Sequence, residues 1–180
     1  MPAGSHTTPP LPLVDSRRRA AGGLPCQRME RSGFLCDWHD DQVFDDSALA
    51  FLAEARFARL ATIGRDGFPH NVPIWFDLEP TADGSHDVIF VSDRTATKTR
   101  NALANPNAGV TIGGDRTDTC GYLIRGTITV EDDPAQTTTH RMIDRYEGGT
   151  PRAAELRDAW KDDDIVVLRL RPTSVISVWG

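Results

Sequence analysis

Arg59-Leu60-Ala61-Thr62-Ile63-Gly64-Arg65-Asp66-Gly67-Phe68-Pro69-His70-Asn71-Val72-Pro73-Ile74-Trp75-Phe76 is the stretch that decides the fold. Two runs rich in β-branched and aromatic residues flank Asp66-Gly67, a pair suited to the positive-φ positions of a tight hairpin turn. Pro69 and Pro73 each remove a backbone donor from the returning strand. That strand must therefore be bulged or have one open edge.

Upstream, Ala48, Phe51, Leu52 and Ala55 recur at helical spacing behind Asp46, which predicts an amphipathic helix of about three turns with Asp46 as N-cap. Downstream, Asp83-Gly84 marks a turn and Asp87 to Ser92 a third strand. Residues 93–104 read as a short helix with Asp93 or Thr95 near its cap, stopped by Asn105-Pro106. Strands follow at 108–113 and 120–130. Helices follow at 134–146 and 151–161, with Asp133-Pro134 and Thr150-Pro151 as cap and first-turn pairs. Asp164 to Leu170 and Val175 to Trp179 read as two closing strands separated by Arg171-Pro172. About seven strands with helices inserted between them predict a small antiparallel barrel.

The chain has 180 residues, 39% of them apolar, enough for the core of one domain. Its net charge of −6 excludes a general nucleic-acid binder, because phosphate affinity needs clustered cations. No apolar run approaches the roughly 18–20 residues of a membrane-spanning helix. Cys26, Cys36 and Cys120 are odd in number and lack CxxC spacing, giving neither a disulfide framework nor a zinc site. His6, His39, His70, His86 and His140 are scattered without ligand spacing, so no metal site is expected. Residues 1–42 carry five prolines, Gly22-Gly23 and the Arg17-Arg18-Arg19 run with no apolar period. They read as a flexible arm ahead of a domain over 43–180, with Met29 an alternative start. Reduced thiols and the lack of a signal-peptide pattern point to the cytoplasm.

The densest chemistry lies between Ser92 and Asn101. Arg94, Lys98 and Arg100 fall within two helical turns, and apart from Asp93 no acid stands beside them in sequence. Arg94 and Lys98, four apart, can reach one point. Ser92, Thr95 and Thr97 add hydroxyls, and a helix start adds free N–H groups and a positive dipole end. Convergent charge and donors suit a phosphate. Trp75 and Trp179 read as core or interface residues, and His70 as an exposed strand histidine or one facing a cofactor. No phosphate-loop, dinucleotide-binding or nucleophile-elbow motif is present.

The order Ala61-Thr62-Ile63, Asp66-Gly67 to Trp75, Val88 to Ser92, Lys98-Thr99-Arg100-Asn101, Asn105-Pro106, Gly126-Thr127-Ile128, Asp132-Asp133-Pro134 and Val167 to Leu170 resembles the pyridoxamine 5′-phosphate oxidase-like superfamily. The resemblance implies a mainly β, FMN-binding split β-barrel with short helices. It also implies a homodimer holding a flavin, or the deazaflavin coenzyme F-420, in clefts between subunits. Val72 stands where the flavin-mononucleotide oxidases carry a phosphate-binding arginine on the second strand. Ala96-Thr97-Lys98 replaces their Ser-Arg-Lys motif, keeping only the lysine. The Lys98-Thr99-Arg100-Asn101 form is more similar to the deazaflavin-dependent reductases. The resemblance thus implies coenzyme F-420, with FMN as the alternative, and hydride transfer to an enone, quinone or tetrapyrrole. The alternative functions are an FMN-binding oxidase-like enzyme and a non-catalytic cofactor- or haem-binding protein. Lys98, Arg94 and Arg100 would hold the phosphate or tail, with Ser92 and Thr95 donating to it. Asn71, Pro73 and Trp75 would line the ring cleft. No catalytic side chain is singled out. The expected partners are a small-molecule substrate and a second copy of the chain.

Overall fold

The computed structural model describes residues 44–116, 118 and 120–178. The arm over 1–42, with Cys26, Cys36 and Met29, lies outside the described residues, as does Trp179. Elements follow in the order α1 (Asp46–Leu52), β1 (Ala58–Ile63), β2 (Pro69–Ile74), β3 (Asp77–Pro80), β4 (His86–Asp93), α2 (Thr97–Ala104), β5 (Asn107–Gly113), β6 (Gly121–Asp132), α3 (Thr137–Glu147), α4 (Pro151–Trp160) and β7 (Ile165–Ser177). The strands form one antiparallel sheet in the order β2-β1-β5-β6-β7-β4-β3. No described helix is long and apolar enough to cross a membrane.

This order bends the sheet into a split barrel. β2 and β3 are its opposite edges, yet only Trp75 and Phe76 join them. Three Cα–Cα steps of about 3.8 Å allow at most about 11 Å between Ile74 and Asp77. The sheet must therefore curl until its two ends almost meet. Leu52, Leu60, Phe76, Val88, Phe90, Val110, Ile112, Ile124, Leu168 and Leu170 fill the interior in one buried cluster. The Tyr146 hydroxyl of α3 sits at the split. It accepts from the Phe76 N–H at 3.0 Å and lies 2.5 Å from the Arg56 carbonyl and 3.1 Å from that of Phe76. Burial pushes the phenol pKa up, so the hydroxyl keeps the proton it donates. A smaller cluster of Ile143, Ala153 and Leu156, with Trp75 and Trp160 against it, joins α3 to α4.

The hairpin stands where the sequence predicts it, and β2 resolves the proline problem by lying at the sheet edge. Pro69, Asn71 and Pro73 alternate with the buried or half-buried His70, Val72 and Ile74. The Gly64 N–H donates to the Phe68 carbonyl at 2.9 Å. In the antiparallel alternation that follows, the two prolines fall at positions facing away from β1. The open edge thus offers the Asn71 N–H as its one backbone donor.

Four expectations are corrected. α1 has 7 residues, two turns rather than three, and its N-cap is Asp45, whose carboxylate accepts from the Ala48 N–H at 2.7 Å. β3 is an additional strand, and the two predicted closing strands are one continuous β7. The chain passes through Pro172 because a register shift opposite Arg125 and Gly126 absorbs it. α3 begins at Thr137 rather than 134. Asp133 still serves its start, accepting from the Thr139 N–H at 2.9 Å and lying 2.8 Å from the Thr139 hydroxyl.

Candidate functional site

Asp93 closes a turn of its own instead of capping α2. One carboxylate oxygen takes the Thr95 N–H at 2.6 Å and the Thr95 hydroxyl at 2.5 Å. These bonds hold the Asp93 carboxyl below the usual carboxylate range. α2 accordingly starts at Thr97 behind Ala96, with no side chain bonded to its first N–H groups. The Ala96 N–H bonds the Asp93 carbonyl at 3.1 Å, so the uncapped start leaves the N–H groups of Thr97, Lys98 and Thr99 aimed along the axis toward whatever lies before it.

The β1–β2 turn faces this helix. A groove of about 700 Å³ runs between them, lined by Arg65, Asp66 and His70 on one side and Thr97, Arg100 and Asn101 on the other. The helical residues share one face at i, i+3 and i+4. The turn is stiff: the Gly67 N–H donates to the Gly64 carbonyl at 2.9 Å, and Asp66 accepts from the Phe68 N–H at 3.1 Å. Gly67 adopts a φ of 83°, which is why glycine follows Asp66.

Most of the described cations are ion-paired. Arg141 and Arg145 pair with Asp77, Arg169 with Glu79, Asp87 and Glu131, and Arg171 with Asp83 and Asp87. Arg56, Arg59, Arg152, Arg157 and Lys161 are likewise paired. Among the described residues, Arg65, Lys98, Arg100 and the loop residue Arg116 make no ion pair, although acids outnumber bases in the chain; Arg65 and Arg100 line the groove. Arg100 donates only to the Thr97 hydroxyl, at 3.3 Å. Lys98 sits one helical step, about 100°, from the groove-facing residues. Burial pushes its pKa down, partly offset by the nearby Asp93.

The structure divides the set expected from sequence. Arg94 turns from the helix start to two distant acids, Asp164 at 2.7 Å and Asp132 at 2.6 Å. The Ser92 hydroxyl is buried 2.9 Å from that of Thr99, which also lies 2.8 Å from the Asp93 carbonyl. Ser92, Thr95 and Arg94 thus hold the β4–α2 connection, while Lys98 and Arg100 flank the helix start. Asn71 and Pro73 are exposed along the open edge of β2, beyond His70. Trp75 is half-buried and stacks on Tyr146, with ring centroids 4.7 Å apart and planes 8° from parallel. Arg65 is the groove residue that sequence reasoning missed, its position in a turn having read as structural. Cations placed about an uncapped helix start can hold a phosphate or carboxylate.

The pyridoxamine 5′-phosphate oxidase family model matches residues 44–179. Among solved structures, the chain resembles an F-420 reductase at 23% identity and a TM-score of 0.58, covering 73% of this chain and 98% of that one. It also resembles a conserved hypothetical protein from Mycobacterium tuberculosis, at 25% identity and a TM-score of 0.58, covering 79% of this chain and 89% of the other. The General Stress Protein 26 of Bacillus anthracis shares 18% identity with a TM-score of 0.53, covering 72% and 89%. No curated protein matches the sequence.

Proposed function

Since the chain belongs to the pyridoxamine 5′-phosphate oxidase family, we propose that it is an oxidoreductase that uses the deazaflavin coenzyme F-420 to reduce an electron-poor small molecule such as an enone, quinone or tetrapyrrole. The observation that carries this reading is the uncapped start of α2, flanked by Lys98 and Arg100 and faced across the groove by Arg65. Free N–H donors and uncompensated cations are what a cofactor phosphate requires. Val72 in place of an arginine, and Ala96-Thr97 before Lys98, favour the deazaflavin over FMN.

When bound, the coenzyme supplies the hydride chemistry, and the chain's part is to bind, orient and exclude water. Lys98, Arg100 and Arg65 hold the phosphate or the acidic tail, and the Thr97 hydroxyl lies among them as a further donor. Asn71 and Pro73, on the open edge of β2, face the ring, the Asn71 N–H being the donor available there. A second copy of the chain covers the apolar depression of about 510 Å³ on the outer face of β1, β5 and β6, where Ala61, Ile63 and Leu123 meet solvent. On this reading the enzyme works in the cytoplasm.

Fluorescence titration with F-420 and with FMN tests the proposal, followed by reduction assays on enones and quinones. F-420 should bind more tightly, and Lys98→Ala should weaken it by about 1–3 kcal/mol, the loss of a charge-assisted bond. Tighter FMN binding, or a protein purified yellow with flavin, overturns the choice of cofactor. Cofactor uptake with no turnover of any acceptor leaves a binding protein rather than an enzyme.

A further inference from the structure

From the wall of the groove at Asn101 a polar contact runs inward that no carboxylate or cation explains. The Asn101 side chain, only 7% exposed, donates from Nδ2 to the Thr62 hydroxyl oxygen at 3.1 Å, and Thr62 is fully buried. This is a bond between two elements remote in sequence, the middle of α2 and the inward face of β1. A threonine and an asparagine here cost more to bury than a valine and a leucine would, unless each satisfies the other.

What the bond connects gives it a use. Asn101 follows Arg100 directly on a helix that packs on β1 and β6. Thr62 stands three residues before Arg65, and the chain between them is the end of β1 and the hydrogen-bonded turn. Gly64 leaves that turn little slack, since a Cβ there would lie 2.6 Å from Asp66 Oδ1 and 3.2 Å from the Phe68 carbonyl. The bond therefore ties the two banks of the groove together directly below the residues that face each other across it. A hydrogen bond is directional, so it selects one rotation and one register of α2 on the sheet, where a purely apolar contact tolerates several.

We propose that Thr62 and Asn101 are positioning residues that set the separation of Arg65 and Arg100 and so determine the affinity for the phosphate of the ligand. This rests on the cofactor reading for the identity of the ligand, and on geometry alone for the role of the bond. Neither residue is a catalytic residue.

The test measures the affinities of F-420, of its phosphate-free deazaflavin chromophore and of inorganic phosphate. They are compared in the wild type, Thr62→Val, Asn101→Leu and the double variant, with a melting curve for each. Thr62→Val keeps the shape of a buried strand residue, so it remains folded even if Asn101→Leu is damaged. Each single variant should bind F-420 and phosphate about tenfold more weakly, and the double variant no more weakly than either, because both remove one bond. The phosphate-free chromophore should change less than twofold. Equal weakening of F-420 and the phosphate-free chromophore overturns the proposal, since a merely structural role loosens the whole site. Unchanged phosphate affinity overturns it as well. A wild type that binds phosphate but neither deazaflavin overturns the cofactor reading while the phosphate arm still decides the positioning role. A wild type that binds none of the three overturns both.

Discussion

Tyr146→Phe removes one oxygen atom from the place where the barrel is split. The Tyr146 hydroxyl accepts from the Phe76 N–H at 3.0 Å and lies within donating distance of two carbonyls, those of Arg56 and Phe76. Phe76 is fully buried, so water does not simply take over. Losing the donated bond costs about 1 kcal/mol net, and stranding a buried N–H costs about 1–3 kcal/mol more. The ring stays, and with it the stack on Trp75. The expected loss is therefore about 2–4 kcal/mol, or roughly 5–15 °C in Tm for a domain of this size. Urea unfolding followed by tryptophan fluorescence measures it, because Trp75 stacks on the substituted ring and Trp160 packs against Trp75. Tyr146→Leu should cost more, by the aromatic contact. A loss under about 0.5 kcal/mol for Tyr146→Phe would refute the reasoning, since it would mean that the hydroxyl does not seal the split.

Gly126→Ala should be among the most damaging single changes. A Cβ at Gly126 would lie 2.1 Å from the Arg171 carbonyl oxygen and 2.8 Å from its carbon, β7 backbone that cannot swing aside as a side chain would, so a loss above about 3 kcal/mol is expected in the same unfolding assay. The pH dependence of ligand affinity carries a sign set by Lys98. Burial lowers the pKa of its ammonium group in the free protein. Affinity for the phosphate-bearing cofactor should be full below that lowered value and fall as pH rises through it, earlier than for an exposed lysine. Titration at stepped pH checks this, and Lys98→Arg, charged throughout, should remove the early fall.

Much of the barrel is local chemistry and could be read directly. Asp66-Gly67 between alternating runs has one good solution, and Thr150-Pro151 opens α4 as its residue types dictate. β3 was not legible, because Asp77-Leu78-Glu79-Pro80 has too few residues for a pattern and two of them are acids. Those acids are tolerated through Arg141 and Arg169, 62 and 90 residues away from Glu79. Pro172 read as a break because the bulge that accommodates it depends on Gly126 in another strand. The site divides in the same way. Arg100 was legible from its place on a helix start. Arg94 looked equivalent until folding brought Asp132 and Asp164 to it, and Arg65 looked like turn punctuation until folding set it across from α2.

The two ends of the sheet also bear on how the protein behaves when crowded. A strand edge with regularly spaced donors and acceptors is a template on which other chains can stack into fibrils. Here the β2 end is interrupted by Pro69 and Pro73, and the β3 end spans four residues, closes on Pro80 and carries Asp77 and Glu79. Neither end can propagate a ladder. A contact between copies that does not extend the sheet is saturable instead of open-ended. Replacing both β2 prolines by valine would restore the missing donors and turn a self-limiting surface into one that seeds aggregation.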